Sequence, residues 1–166
     1  TDKKFAKICY FRELSASPAE QKALCQDLLI NVTQFFRDKA AWASLATKVI
    51  DPMVVGLGEE ESLRVWVTAC STGEEAYSVA ILLKEAMERH GVLQDVKVFA
   101  TDVDKRALAT AAAGVYPMSI ADDVGPERLR RFFTARGDAY AIKRQIRDMV
   151  IFARHDLTRD APFTRM

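Results

Sequence analysis

The fold is decided by residues 64–102, which read RVWVTACSTGEEAYSVAILLKEAMERHGVLQDVKVFATD. The stretch opens with an apolar run over 64–69, typical of a strand that is covered on both faces. After a turn of small residues, apolar positions recur at helical spacing over 74–89. A second apolar strand, 96–101, ends at Asp102. The order strand, helix, strand predicts a parallel, doubly wound sheet of the α/β class.

Residues 1–50 are predicted to be helical. The run Ser17-Pro18-Ala19-Glu20 is a helix-start signal. We expect a break near 31–33, where β-branched residues interrupt good helix formers. Asp38 then caps a second helix that ends before Asp51-Pro52. The apolar stripe of that helix is Trp42, Leu45 and Val49.

The rest of the chain is expected to add helices and strands in a less regular order. Two helices are predicted, one over 105–113 behind the cap Asp104 and one over 126–133. Two strands are predicted, an edge strand at 140–142 and an apolar strand at 149–153. Because doubly wound sheets usually have five or more strands, the sheet is expected to be partial, with an unpaired edge through which copies of the chain can associate.

The composition suits one folded domain, or one domain and a fragment of another. The chain has 166 residues, 49% hydrophobic and 28% charged, with net charge +1. Only 7 Gly and 5 Pro are present, which excludes collagen-like and broadly disordered classes. No apolar run has the length of a membrane span. Three cysteines without a CxxC pair and two histidines argue against a disulfide scaffold or a metal site, and predict a cytoplasmic protein.

The last part of the chain is basic. Residues 128–166 carry ten Arg and Lys against four Asp, a local charge of +6. Such a region can bind nucleic acid or an acidic protein surface, or it can simply be solvated. The arginines are scattered among apolar residues and no nucleic-acid motif accompanies them, which favours the solvated face. We therefore expect no nucleic-acid partner.

The ends of the two strongest strands predict a nucleoside site. Ligands of open parallel sheets bind beyond the carboxyl ends of the strands. After the first strand, residues 69–75 form a small-residue turn at a helix start, where free N–H groups suit polar atoms. The second strand ends at Asp102, whose carboxylate can accept both hydroxyls of a ribose.

The turn is unsuited to a phosphate group. It has one glycine, so it lacks the GxGxxG pattern, and it has no P-loop lysine. Glu74 and Glu75 at the helix start would repel a pyrophosphate. They suit a ligand with hydroxyls, an amino group and a positive charge, such as S-adenosylmethionine. The alternative is that the two glutamates only complement the helix dipole, an effect of about 0.3–1 kcal/mol each.

Three motifs carry a family resemblance, in matching order and spacing. They are Asn31-Val32-Thr33-Gln34-Phe35-Phe36-Arg37, Cys70-Ser71-Thr72-Gly73-Glu74-Glu75-Ala76-Tyr77-Ser78 and Ala100-Thr101-Asp102-Val103-Asp104. The chain resembles the chemotaxis-receptor glutamate methyltransferases of the CheR type. The runs at 114–117, 126–133 and 155–163 fit the same pattern, and the last is most similar to proteins that fuse methylesterase and methyltransferase domains.

The resemblance implies S-adenosylmethionine as cofactor, on a partial Rossmann-like sheet. Asn31 and Thr33 match positions that contact the cofactor. Arg37 matches an arginine at the cofactor and near the methyl-transfer site, where it would hold the substrate carboxylate and act as the catalytic residue. Glu75 matches the carboxylate that contacts the amino-acid part of the cofactor, and Asp102 the one that binds the ribose.

The resemblance also implies a contact with the adenine. Asp156 and Leu157 match a pair beside that ring, where the family often has Asn-Leu. An aspartate in place of the asparagine keeps a hydrogen-bond acceptor but removes an amide donor.

The resemblance further implies a domain organisation and a partner. Residues 1–50 would be the remnant of an N-terminal helical domain and linker, and 51–166 the first part of the cofactor-binding domain, with a small β-subdomain at about 118–150. The family continues at both ends beyond what this chain contains. The implied partner is a chemoreceptor signalling domain. Because the segment between Phe133 and Ile142 is short, we do not expect tethering to a receptor's C-terminal pentapeptide.

Two hypotheses of different classes follow. The first is an enzyme, a protein-glutamate O-methyltransferase of which this chain holds the cofactor-binding part. The second is a cofactor-sensing or docking domain of a multidomain signalling protein, without turnover.

Overall fold

The computed structural model describes residues 10–28, 32–58, 61–164 and 166. The chain divides into two compact units, Thr1–Asn31 and Val32–Met166. The domain boundary implied by the resemblance, at residue 50, stays a prediction. Phe35 and Phe36, which precede that residue, are buried in the hydrophobic core of the second unit.

The described part of the first unit consists of two helices. Helix α1 covers residues 10–16 and helix α2 is Pro18–Leu28. The Ser17 hydroxyl accepts a hydrogen bond from the Glu20 amide at 3.2 Å, as an N-cap does. The helix start predicted at this position is therefore confirmed.

The second unit begins with a continuous helical segment. Helix α3 (Lys39–Leu45) passes through a π-helical turn (Ala46–Ile50) into helix α4 (Asp51–Val55). Asp38 caps α3 as predicted, accepting from the Ala41 amide at 3.3 Å. The prediction that this helix ends before Asp51-Pro52 is wrong. Pro52 falls in the first turn of α4, directly after the π-helical turn, where the α-helical hydrogen-bond spacing is already interrupted.

The π-helical turn also changes the buried face of this segment. Trp42 and Leu45 pack against the core as predicted, but Val49 is 43% exposed. Ile50 and Val54 are buried in its place. A π-helical turn inserts one residue relative to α-helical spacing, so the stripe moves on by one position.

Three strands form a parallel sheet in the order β1-β2-β6. They are β1 (Leu63–Thr68), β2 (Val96–Asp102) and β6 (Val150–Arg154). Helix α5 (Glu74–His90) connects β1 to β2, and helix α6 (Lys105–Ala113) follows β2. The predicted strand–helix–strand–helix order is confirmed, and the sheet is a parallel, Rossmann-like α/β sheet.

Alternation along the strands separates the two faces of this sheet. The row Val67, Ala100 and Phe152 shares one face, and Tyr77 of α5 packs against Phe152 with ring centroids 5.5 Å apart. The row Trp66, Phe99 and Ile151 shares the opposite face. On that face Phe163, from the segment after β6, packs 5.1 Å from the Trp66 ring.

A second, antiparallel sheet has the order β3-β5-β4. Its strands are β3 (Val115–Pro117), β4 (Phe133–Arg136) and β5 (Ala139–Ile142). Between β3 and β4 lie a 3₁₀ turn (Met118–Ile120) and helices α7 (Ala121–Val124) and α8 (Pro126–Phe132). Helix α9 (Arg144–Arg147) follows β5.

The small β-subdomain expected at about 118–150 corresponds to this sheet, whose first strand begins at Val115. Two predictions for this region are wrong in detail. Phe133 opens β4 and does not end the helix. The strand predicted at 140–142 is central and not an edge strand, because Tyr140 pairs with both Tyr116 and Ala135. A strand's own residues do not show whether it has one neighbour or two.

Candidate functional site

The candidate site lies at the carboxyl edge of the parallel sheet, where three strand ends meet. Beyond β1 the Cys70 amide donates to the Thr101 carbonyl (2.9 Å). Beyond β6 the His155 amide donates to the Asp102 carbonyl (3.1 Å). The segments that follow the three strands therefore lie side by side, which is the arrangement that binds ligands in open parallel sheets.

The 69–73 loop joins β1 to α5 through left-handed backbone. The φ angle is +52° at Ala69, +49° at Ser71 and +95° at Gly73, in the region that favours glycine. At Gly73 a Cβ would also lie 2.8 Å from the Ala111 Cβ and 3.1 Å from the Tyr116 Oη. The glycine is therefore required for packing against α6.

The Asp102 carboxylate holds this loop in place. Its Oδ2 accepts from the Ser71 amide and its Oδ1 from the Asp104 amide, both at 2.8 Å. Each carboxylate oxygen has two lone pairs, so each retains one acceptor position beyond these bonds. The structure thus gives Asp102 a role that sequence reasoning missed, the attachment of the loop to the end of β2.

The two glutamates at the start of α5 differ in their surroundings. Glu74 accepts a hydrogen bond from the Thr72 hydroxyl at 2.7 Å through Oε2, so its carboxylate closes the loop onto the helix. Glu75 is exposed and accepts no hydrogen bond from the part of the chain that the structure describes. Glu75, the residue singled out in the sequence, is therefore the carboxylate open to a ligand.

The segment of residues 32–38 is anchored to α5. The Phe36 amide donates to the Ser78 hydroxyl (3.2 Å), one helical turn after Glu74. Thr33 is half-buried and Arg37 is exposed, with Nη1 donating to the Val32 carbonyl at 3.4 Å. Asn31, the third candidate from this motif, lies outside the described residues.

Asp156 organises the turn after β6. Its Oδ1 accepts from the Thr158 amide (2.9 Å) and the Thr158 hydroxyl (2.7 Å). These hydrogen bonds lower the pKa of Asp156, so the group is a carboxylate at neutral pH. Leu157, its neighbour, is exposed. The predicted pair therefore presents a carboxylate and an apolar side chain beside the end of β2.

Two reactive residue types near the site are buried. Cys70 is 1% exposed, and burial raises the pKa of its thiol to about 12, so it remains a thiol at neutral pH. His155 is buried, with its ring stacked on Phe163 (5.3 Å) and Nε2 hydrogen-bonded to the Ala161 carbonyl (3.0 Å). Both residues serve packing.

Sequence reasoning missed two residues that hold the site together. The Tyr116 hydroxyl donates to the Thr72 carbonyl (2.8 Å), and the Ser78 hydroxyl donates to the Glu74 carbonyl (2.7 Å) while accepting from Phe36. Both residues lie within runs that carry the family resemblance, and that position was the one sign in the sequence that they matter. The bonds from Tyr116 to Thr72 and from Phe36 to Ser78 join residues far apart in the chain, so no local pattern predicts them.

Two kinds of feature were sought in the described ranges and not found. In residues 10–28, 32–58 and 61–164, no helix is long and apolar enough to span a membrane. In the same ranges, no group of His, Cys, Asp or Glu side chains is arranged to hold a metal ion.

Known proteins resemble this chain over most of its length. It is 47% identical over 157 residues to an uncharacterized 104.1 kDa protein of Rhodobacter capsulatus, a match covering 95% of this chain and 16% of the relative. It is 35% identical to a chemotaxis protein methyltransferase of Listeria innocua (80% of this chain, 48% of the relative). It is 37% identical to chemotaxis protein methyltransferase 2 of Pseudomonas aeruginosa (75% and 42%).

The chain spans about half the length of the two chemotaxis methyltransferases, and less of the Rhodobacter protein. Residues 31–166 match the family model described as CheR methyltransferase, SAM binding domain. That range includes the carboxyl edge of the parallel sheet, the 69–73 loop and the small antiparallel sheet. The chain belongs to the CheR methyltransferase family, and the part matched is its S-adenosylmethionine-binding domain.

Proposed function

We propose that the protein transfers a methyl group from S-adenosylmethionine to glutamate side chains of chemoreceptor signalling domains. The observation that carries the proposal is the set of open acceptors at the carboxyl edge of the sheet. Glu75 is exposed there, and each oxygen of Asp102 retains a lone pair beyond its bonds to the Ser71 and Asp104 amides. Carboxylate acceptors of this kind suit a ligand with hydroxyls and a cationic end.

The residues present fit S-adenosylmethionine group by group. Asp102 would accept the ribose hydroxyls, and Glu75 would pair with the ammonium of the methionine part. Asp156 uses Oδ1 for its own turn, while the Arg159 guanidinium lies 3.8 Å from Oδ2. Oδ2 would accept from the adenine amino group, with the exposed Leu157 beside the ring.

Arg37 is the proposed catalytic residue. Its guanidinium is exposed, and its one hydrogen bond to a described residue is the 3.4 Å contact with the Val32 carbonyl. No carboxylate of the described residues lies within ion-pair distance of it. Its remaining donors would hold the substrate carboxylate as a fork. Thr33, on the same segment, and Asn31 would contact the cofactor.

The reaction requires the protein to position the two reactants and does not require a general base. S-adenosylmethionine supplies a methyl group already activated on a sulfonium. A glutamate side chain is ionised at pH 7 and is therefore a ready nucleophile. Arg37 would fix the direction of its attack, and alignment of the reacting atoms together with electrostatics would supply the rate. The burial of His155 agrees with a reaction that needs no general base.

Cofactor binding is tested by calorimetric titration of the chain with S-adenosylhomocysteine. Asp102→Ala removes both proposed ribose bonds, so affinity should fall at least about 100-fold, since hydrogen bonds to charged groups contribute about 1.5–3 kcal/mol each. The matched control is Asp104→Ala, which removes a carboxylate two residues away that caps α6 through the Arg106 amide at 2.8 Å. Equal affinities for the two variants would contradict the assignment of Asp102.

Methyl transfer is tested with methyl-labelled cofactor and a chemoreceptor signalling domain. A product ester releases its label as methanol in base, which separates carboxylate methylation from other acceptors. Arg37→Ala should lower the rate while leaving affinity for S-adenosylhomocysteine within a few-fold. Tight cofactor binding with no transfer to any signalling domain would instead support the docking or sensing hypothesis. Cytoplasmic location and the absence of pentapeptide tethering stay predictions.

A further inference from the structure

Tyr116 connects three elements that build the candidate site. It lies in β3 of the small antiparallel sheet and is 3% exposed. Its hydroxyl donates to the Thr72 carbonyl in the 69–73 loop at 2.8 Å. Its ring meets Phe35 edge-on at 5.0 Å, and Phe35 belongs to the segment that carries Thr33 and Arg37.

The hydrogen bond to Thr72 lies in the part of the loop that has left-handed backbone. Thr72 lies between Ser71 and Gly73, whose φ angles are +49° and +95°. Such conformations persist only when surrounding contacts hold them. The Thr72 hydroxyl in turn binds the Glu74 carboxylate, so a fixed Thr72 directs Glu74 to the loop and leaves Glu75 open.

The hydroxyl of Tyr116 is a permanent donor. Burial raises the pKa of Tyr116 well above its ordinary value, so the hydroxyl keeps its proton and remains a donor at neutral pH. The Tyr116 Oη also lies 3.1 Å from the place that a Cβ on Gly73 would occupy. The hydroxyl therefore binds the loop at Thr72 and fills the space beside Gly73 that a side chain there would need.

We propose that Tyr116 is a positioning residue for the cofactor, through which the small antiparallel sheet holds the 69–73 loop in its binding conformation. The inference rests on the proposed function for the identity of the ligand. The loop geometry that it concerns exists without ligand, and it can be measured without one.

The chain offers a matched control in Tyr77. Tyr77 is 1% exposed, and its hydroxyl also donates to a backbone carbonyl, that of Ala111 at 2.9 Å. Both tyrosines thus lose one buried hydroxyl-to-carbonyl bond on replacement by phenylalanine. They differ in the segment that is released: Thr72 belongs to the loop itself, whereas Ala111 belongs to α6, which lies beside the loop only at Gly73.

The experiment compares Tyr116→Phe with Tyr77→Phe in the full chain. Both should lower the unfolding midpoint by similar amounts, since each removes one hydrogen bond and retains the ring. Only Tyr116→Phe should weaken S-adenosylhomocysteine binding, by about 2- to 10-fold in calorimetric titration. Only Tyr116→Phe should speed amide hydrogen exchange in residues 69–76 of the ligand-free chain.

The two readouts separate this inference from the proposed function. If the wild-type chain fails to bind S-adenosylhomocysteine, the proposed function fails, and the exchange comparison still decides the positioning role. Unchanged exchange in residues 69–76 of Tyr116→Phe would overturn the inference. Equal effects of the two substitutions on exchange or on affinity would also overturn it, because they would show a general contribution to stability.

Discussion

Replacing Gly73 by alanine should destabilise the second unit through two separable effects. The first is backbone strain, because Gly73 has a φ of +95°, and left-handed backbone costs a residue with a Cβ about 1–2 kcal/mol. The second is overlap, because the new Cβ would lie 2.8 Å from the Ala111 Cβ and 3.2 Å from its Cα. Overpacking of a closed site costs about 1–3 kcal/mol.

The two effects together lower the free energy of unfolding by about 2–5 kcal/mol. In a chain of this size that corresponds to a midpoint lowered by about 4–20 °C. The control is Gly91→Ala at the end of α5. Gly91 has a φ of +67°, and a Cβ added there would meet nothing within 4 Å, so this substitution incurs the strain alone, about 1–2 kcal/mol.

A second substitution isolates the overlap. Ala111→Gly alone costs about 1 kcal/mol as a glycine inside a helix. Combined with Gly73→Ala it removes the closest contact, so the double variant should be more stable than the sum of the single variants predicts, by about 1 kcal/mol or more. Urea denaturation, monitored by circular dichroism, gives the free energy of unfolding of each variant. The reasoning is refuted if Gly73→Ala costs no more than Gly91→Ala and shows no coupling to position 111.

Three further predictions concern groups around the site. Arg128 donates two hydrogen bonds of 2.9 Å to the Glu85 carboxylate. Arg128→Lys cannot form both, so it should lower the free energy of unfolding by about 1 kcal/mol in urea denaturation, and Glu85→Gln should lower it by no more than that. If Arg128→Lys leaves the free energy of unfolding unchanged, the ion pair does not stabilise the fold. Cys70, with its pKa raised to about 12, should react with iodoacetamide at pH 8 at least about 100-fold more slowly in the folded chain than in urea, measured on its own peptide by mass spectrometry. Thr158→Val removes the largest cause of the lowered pKa of Asp156, so carboxyl NMR should show that pKa rising toward its ordinary value. Because the pKa of Asp156 is lower in the folded chain, the stabilisation from this carboxylate is present above the unfolded pKa and is lost as the pH falls through the folded pKa. If Thr158→Val leaves the pKa of Asp156 unchanged, the Thr158 hydroxyl is not the cause of its lowering.

The attachment of the loop by Asp102 affects how site variants are interpreted. The carboxylate binds the Ser71 amide as well as the proposed ribose. An Asp102 variant therefore loses loop order together with ligand contacts, and its exchange pattern in residues 69–76 should resemble that of Tyr116→Phe. A thermal midpoint alone does not distinguish the two roles.

The sequence by itself determined the local elements of this protein. The caps Ser17, Asp38 and Asp104 each accept the backbone hydrogen bond expected of them. Periodicity predicts the strands over 64–69 and 96–101 and the helix between them, and the structure has them at 63–68, 96–102 and 74–90. These signals are short-range: a cap acts within three residues, and a helical or extended period is complete within about ten. The meeting of the strand ends at one edge followed from the same signals, since parallel strands joined by helices bring their carboxyl ends together.

Only the tertiary structure decided which distant groups hold the site in shape. Tyr116 and Thr72 are 44 positions apart, and Phe36 and Ser78 are 42 apart. No local pattern reports such a bond, because its partners meet only after the helices and both sheets have packed. The same reason explains the central place of Tyr140 and the helix that continues through Pro52. A strand's neighbours and a helix's tolerance of proline depend on what surrounds them, and not on the residues within them.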